Sequence, residues 1–142
     1  MQLNKFTDYA LRVLMYVAQF EAPHTVSKLA ENLQVSENHL VKIVHFMAKQ
    51  NWIKTVRGKG GGIYLNPEIL QLRLGDVVQV LQGEVPIVNC AHPQCVLSPS
   101  CQLKGILDQA VMQFYASLNQ YQLQDVLNLK SNPSSEITLL QL

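Results

Sequence analysis

Apolar positions in the first half of the chain recur at helical spacing three times, and two short strand-like runs follow. Ala10, Val13, Leu14 and Val17 stand at i, i+3, i+4 and i+7, which predicts one core-facing stripe on a helix starting near Thr7. The segment Glu21-Ala-Pro23-His24 breaks it. Val26, Leu29, Ala30 and Leu33 predict a second helix over about Ser27–Leu33. A tight turn at Gln34-Val35 follows, and Ser36 is a good N-cap for a third helix reaching about Gln50. Its apolar stripe is Leu40, Ile43, Val44 and Met47. The opposite face carries Asn38, Lys42, His45 and Lys49, with His39 at its edge. Ile53–Val56 and Ile63–Leu65 read as two short strands, ended by Asn66-Pro67.

The second half has two more stripes. Leu74, Val77, Val78 and Leu81 predict a helix closed by Gly83. Leu103, Ile106, Leu107, Ala110, Val111, Phe114, Leu118 and Tyr121 keep register over about five turns. Ser98-Pro99 has the form of a helix start, which would put Cys101 in the first turn of this long helix. So wide a stripe after a completed small domain needs a partner. The same helix of a second subunit is the natural one, giving a homodimer. Tyr121–Leu129 reads as a short last helix, and Lys130–Ser135 as the start of a tail.

The expected architecture is mainly α with a small β-hairpin: a winged helix-turn-helix with a long C-terminal dimerisation helix. Residues 1–83 form the DNA-binding head, 84–101 a cysteine loop, 102–130 the dimerisation helix and the short last helix, and 131–142 the tail. Two helices joined by a short turn, the second with a polar, cationic outer face, are the helix-turn-helix pattern. Ser36, Asn38, His39 and Lys42 are the candidate groove residues, since Asn and His can bond base edges and Lys can bind phosphate or guanine. Between the strands, Arg57-Gly58-Lys59-Gly60-Gly61-Gly62 permits a tight hairpin tip carrying two cations. That is a wing, able to lay Arg57 and Lys59 along a phosphate backbone or into a minor groove. A phosphate-binding P-loop does not fit, because no Gly-Lys-Ser/Thr follows and no helix begins there.

Charge supports this division. The net charge is only +1, but residues 1–75 carry nine Lys/Arg against five acids and residues 76–142 two against five. The head is therefore the half that suits an anionic partner such as double-stranded DNA. No apolar run approaches a membrane span, and Met1 is followed by polar residues rather than by an apolar signal region, so a cytoplasmic protein with no membrane partner is expected. No Ser-His-Asp set, paired acids or nucleotide loop supports an enzyme.

All three cysteines, Cys90, Cys95 and Cys101, fall within twelve residues. An odd count in a reducing compartment argues for a metal or redox role rather than a disulfide framework. Buried structural cysteines are the bland alternative, and a loop with two prolines makes it a poor one. A reversible disulfide sensor would leave one thiol over. Zinc could be held by the three thiolates with His92 or a carboxylate, although zinc sites favour Cys-x2-Cys pairs over the x4 and x5 spacings here. The looser spacing suits an iron–sulfur cluster. Three thiolates leave a fourth position open. Asp8 and Arg12 lie opposite the first helix's core stripe: either they form an exposed i,i+4 ion pair, or Asp8 is free to reach another subunit.

Several stretches together resemble the iron–sulfur winged-helix transcriptional repressors, most closely the nitric-oxide-sensing repressors of the NsrR type. They are Met-Gln-Leu with Phe6-Thr-Asp8-Tyr-Ala-Leu-Arg12, Ser36-Glu-Asn38-His39-Leu-Val-Lys42-Ile, Val56-Arg57-Gly-Lys59-Gly-Gly-Gly-Ile63, Leu74-Gly-Asp-Val-Val78, and Val88-Asn-Cys90 through Cys95 to Pro-Ser-Cys101-Gln-Leu-Lys104. The resemblance implies a homodimeric repressor of palindromic promoter DNA, whose affinity is controlled by an iron–sulfur cluster (2Fe–2S or 4Fe–4S) that responds to nitric oxide. It implies Cys90, Cys95 and Cys101 as ligands, with an acid from the first helix of the other subunit, at the position of Asp8, as the fourth. Regulators of the related IscR type place a histidine three residues after the last cysteine. Here that position is Lys104, and His92 is the fallback donor. A zinc- or thiol-based redox regulator on the same fold, and an iron–sulfur electron carrier, are the rival expectations.

Overall fold

The fold is taken from a computed structural model, which describes residues 2–20, 23–98 and 100–127. Helix α1 spans Lys5–Gln19 and begins two residues before the expected start. The reason is Asn4, which caps it: its Oδ1 accepts from the Thr7 amide at 2.7 Å. Helix α2 spans Val26–Leu33, capped by Thr25, and ends in left-handed Gln34. Helix α3 spans Glu37–Lys49 with Ser36 at its N-cap, as expected. Strands β1 (Ile53–Val56) and β2 (Gly62–Leu65) pair antiparallel, Ile53 opposite Leu65 and Val56 opposite Gly62. A 3-10 turn at Pro67–Gln71 leads to α4, Leu74–Gln82. Helix α5 is Leu103–Leu118, and α6 is Leu123–Leu127.

The predicted stripes of the head meet in one core. Ala10, Val13, Leu14, Val17, Leu29, Leu40, Ile43, Met47, Val77 and Leu81 are all buried in it. An eight-residue helix such as α2 is marginal alone and is held by this packing. Edge-to-face rings tie α1 to α3 at Phe6 and Phe46, 5.3 Å between centroids. The hairpin is closed at its base by buried Asn66, whose Nδ2 donates to the Asn51 carbonyl at 2.7 Å while its amide donates to the Trp52 carbonyl at 2.9 Å. Its other strand is held by His24, which exchanges backbone hydrogen bonds with Ile63 (3.4 and 2.8 Å). His24, just before α2, thus anchors the wing.

Two expectations change at the far end. The start of the long helix is not at Ser98. The Ser98 and Ser100 amides turn back to the Cys95 and Leu97 carbonyls, and the first helical bond runs from the Ile106 amide to the Gln102 carbonyl. Cys101 therefore precedes the helix instead of lying in its first turn. Pro99, the last helix beyond Leu127 and the tail lie outside the described residues. Second, the short last helix, which the sequence pattern groups with α5, packs into the head. Leu123 and Leu127 are 2% and 4% exposed in the core beside α1. Five residues do not make a stable helix unaided, and burying two leucines at about 2 kcal/mol each holds it there.

Helix α5, by contrast, has no buried residue along its length. Leu103, Ile106 and Met112 are 58%, 60% and 70% exposed. The head grips its C-terminal end. Asn119 Oδ1 accepts from the Asp76 amide at 3.0 Å, Leu74 N donates to the Tyr121 carbonyl at 3.0 Å, and Leu123 N donates to the Leu72 carbonyl at 2.8 Å. Among the described residues, no helix is long and apolar enough to cross a membrane.

Candidate nucleic-acid interface and cysteine loop

The outer face of α3 is presented by its caps. Left-handed Gln34 ends α2 by giving its amide to the Glu31 carbonyl, and buried Val35 pins the turn. Ser36 then starts α3, its Oγ accepting from the His39 amide at 3.4 Å. Ser27 Oγ donates to Glu37 Oε1 at 2.8 Å and ties the two helices together. With Leu40, Ile43, Val44 and Met47 turned inward, Ser36, Asn38, His39, Lys42, His45 and Lys49 are all exposed, as the periodicity requires. His39 leans toward Tyr9 of α1, ring centroids 6.3 Å apart.

The wing tip is also exposed, including Arg57 and Lys59. Gly58 and Gly60 take positive φ of 97° and 76°, which a side chain would resist. At Gly61 a Cβ would lie 2.3 Å from the Val56 carbonyl oxygen, so the tip is closed too tightly for any side chain there. Tyr64 Oη donates to the Gly60 carbonyl at 3.1 Å and braces it.

Asp8 is found in the ion pair that its spacing allows. Arg12 Nε and Nη2 donate to its two carboxylate oxygens at 2.8 and 2.9 Å, and the guanidinium lies over the Tyr9 ring at 5.9 Å. The hydrogen bonds to Asp8, then its charge, raise the Arg12 pKa above its ordinary value. The helix turn carrying Asp8 is fastened to the end of α4. Gln82 Oε1 accepts from the Asn4 amide at 3.1 Å and from the Thr7 hydroxyl at 2.9 Å, and the Gln82 carbonyl accepts from Asn4 Nδ2 at 3.3 Å.

One residue beyond Gln82, the chain turns at Gly83 toward the cysteines. Cys90, Cys95 and Cys101 are free and half-buried. Asn89 Oδ1 accepts from the Ala91 and His92 amides, both at 3.1 Å, and the Cys95 amide donates to the Cys90 carbonyl at 3.0 Å. The loop is therefore bent back on itself between its first two cysteines. Lys104 faces the same groove as Cys90 and Asn89. It is paired with Asp108, whose hydrogen bond and charge raise its pKa, with a smaller contribution from Cys90. Among the described residues, no three His, Cys, Asp or Glu side chains come together to hold a metal ion. Within one protomer, Asp8, His92 and the three cysteines are thus not gathered. The donor chemistry nevertheless fits an iron–sulfur cluster: three free thiols on one bent loop, none consumed by a disulfide.

The Asn119–Asp76 contact, the Gln82 contacts and the His24 bridge have no counterpart in the sequence pattern. All are polar or backbone pairings between distant segments. Only Gly75 and Gly62 gave a local sign of them: a Cβ at Gly75 would strike the Tyr115 carbonyl, and one at Gly62 would strike Pro23.

A buried-core helix-turn-helix, a cationic hairpin and a protruding helix define a winged-helix transcriptional regulator. A model of the Rrf2 family, described as an iron-dependent transcriptional regulator, matches residues 3–129. The chain belongs to the Rrf2 family; it is a transcriptional regulator and not an enzyme, and the family implies binding to DNA. Similar solved structures include IscR of T. potens (22% identity, 89% of this chain and 86% of that one, TM-score 0.68). They also include CymR, the global cysteine regulator of B. subtilis (22%, 89% and 96%, TM-score 0.68), and the oxidised form of Staphylococcus aureus CymR (19%, 93% and 100%, TM-score 0.70). At these identities the likeness is one of fold.

Proposed function

We propose that this regulator is a homodimeric repressor of palindromic promoter DNA, whose affinity is set by an iron–sulfur cluster and lost on exposure to nitric oxide. One observation carries the reading. Three free cysteines lie on a loop rooted between α4 of the head and α5, a helix packed on α4 along one side that leaves Leu103, Ile106 and Met112 exposed. Whatever the loop binds bears on both.

In the dimer, the exposed face of α5 packs against the second copy. Ser36, Asn38, His39 and Lys42 enter the major groove, and Arg57 and Lys59 lie on the backbone beside it. Cys90, Cys95 and Cys101 hold the cluster, 2Fe–2S or 4Fe–4S, with Asp8 of the other head as fourth donor and His92 as the fallback. When bound, such a cluster supplies iron that reacts with nitric oxide. Asp8 serves as a donor by giving up or sharing its pair with Arg12. Its turn of α1, held by Gln82 and neighbouring His39 through a tilted Tyr9 ring, then connects the cysteine loop of one subunit to the groove-reading helix of the other.

The test is anaerobic absorption and native mass spectrometry of the purified protein, before and after nitric oxide, alongside promoter binding. A brown dimer that loses both cluster and DNA affinity is expected. Cys95→Ala that binds as tightly and still responds to nitric oxide would overturn the sensing role.

A second reading, a thiol-based redox regulator, is favoured by the cysteines being free, half-buried and not gathered within one protomer, whereas a zinc-based one would need the thiolates drawn together as the cluster does. A colourless anaerobic protein whose DNA binding responds to oxidant would select the thiol, and one whose binding responds to zinc would select the metal.

A further inference from the structure

The exposed side of α3 contains one residue of the wrong kind for a solvated face. Among the described residues of this helix, Val41 is the one large apolar side chain turned to solvent, 52% exposed. The helix's other β-branched residues, Ile43 and Val44, are 1% and 7% exposed and belong to the core. Val41 has no such duty. A β-branched residue is also a poor helix former, so at an exposed mid-helix position it weakens α3 without a packing gain. Its neighbours explain what it faces. Asn38 lies one turn before it and His45 one turn after, both exposed on the same side. Asn38 is one of the groups proposed to bond base edges, and His45 carries a ring donor and acceptor beside it. In the major groove, the one apolar feature on base edges is the 5-methyl group of thymine.

We infer that Val41 is a specificity-determining residue that packs on a thymine 5-methyl group in the major groove. This rests on the proposed placement of α3 in DNA. Asn38 suits adenine, whose N6 and N7 present the donor–acceptor pair an amide matches, and adenine brings a thymine with it across the pair. An apolar side chain one helical turn along then selects T over C at a neighbouring pair by contact and desolvation.

The test uses the full chain, purified anaerobically, and a duplex that it selects from a randomised pool. Each thymine is replaced in turn by deoxyuridine, which removes the methyl and leaves Watson–Crick pairing intact. One thymine per half-site should weaken wild-type binding about fourfold when replaced, the size of one buried methyl. Val41→Ala, which removes the contact from both half-sites of the dimer, should bind the thymine duplex about as weakly as wild type binds a duplex with the sensitive thymine of each half-site replaced, roughly sixteenfold below wild type on thymine, and should show no further loss with uracil. Val41→Thr, which keeps one methyl and the branched shape, should fall between them. A uracil penalty of equal size in wild type and Val41→Ala, or no sensitive thymine at all, would overturn the inference while leaving DNA binding in place. Failure of the wild type to select any sequence would overturn both.

Discussion

Asn119 grips Asp76 twice: its Oδ1 accepts from the Asp76 amide at 3.0 Å, and its Nδ2 donates to Asp76 Oδ1 at 2.8 Å. This reciprocal contact joins the first turn of α4 to the residue that ends α5, and it fixes the direction in which the apolar face of α5 leaves the head. The close approach depends on Gly75. A Cβ there would lie 2.3 Å from the Tyr115 carbonyl oxygen and 2.4 Å from Asn119 Oδ1. Because the first obstacle is backbone, it cannot rotate away. Gly75→Ala should push α5 from α4 and destabilise the protein by about 1–3 kcal/mol, as overpacking generally does. Urea unfolding would show this as a lowered midpoint, and sedimentation as weakened self-association. An unchanged midpoint would mean that this junction does not hold α5.

Gln82 makes a comparable junction at the other end of α4. Its side-chain oxygen satisfies both the Asn4 amide and the hydroxyl of Thr7, which is fully buried. Gln82→Ala leaves that hydroxyl without its acceptor, at a cost of about 1–3 kcal/mol. Thr7→Val removes the donor along with the need for it and should cost less than Gln82→Ala. The order of the two urea midpoints checks the assignment.

The helix-turn-helix and wing were legible because each announces itself locally. Ser36 caps, Gln34 turns, the stripe Leu40, Ile43, Val44 and Met47 faces inward, and glycines crowd the hairpin tip. The polarity of the outer face follows from the same periodicity. What could not be read depends on distant partners. Nothing near Asn119 or Gln82 names Asp76 or Thr7, which lie 43 and 75 residues away. The Ser98-Pro99 signal misled because the amides that a helix start leaves free are used here in turns around the cysteines. The pattern beyond Tyr121 marked a short helix, but not that its Leu123 and Leu127 return to the head. The cysteine cluster was visible as a composition anomaly, while the Asn89 turn that bends it was not.

Lys42 and Arg57 provide a test of the proposed DNA-binding surface, made with wild type and variants in the same cluster state. Each is exposed, on α3 and on the wing tip respectively. Lys42→Ala should lower affinity for operator DNA and reduce the slope of log affinity against log salt by about 0.9, the value for each phosphate no longer neutralised. Arg57→Ala should do the same if the wing lies on the backbone, and the double variant should reduce the slope about twice as much. A slope unchanged in either variant removes that residue from the phosphate contacts. Lower affinity with an unchanged slope would instead assign Lys42 to a base edge.

Asp8 offers the sharpest separation of a structural role from a cluster-binding one. In the single chain it is occupied by Arg12 on an exposed helix face, an arrangement that contributes little to stability. Asp8→Ala should therefore leave the urea midpoint of the cluster-free protein nearly unchanged. If Asp8 also completes the cluster of the other subunit, the same variant should lose its visible absorbance faster under anaerobic dilution or with a chelator. Asp8→Cys, which offers a thiolate from the same position, should slow that loss again. Arg12→Ala frees the carboxylate without removing it and should shift cluster retention in the opposite direction to Asp8→Ala. Equal absorbance decay in wild type and Asp8→Ala would return Asp8 to the ion pair alone and pass the fourth position to His92, for which His92→Ala becomes the corresponding measurement.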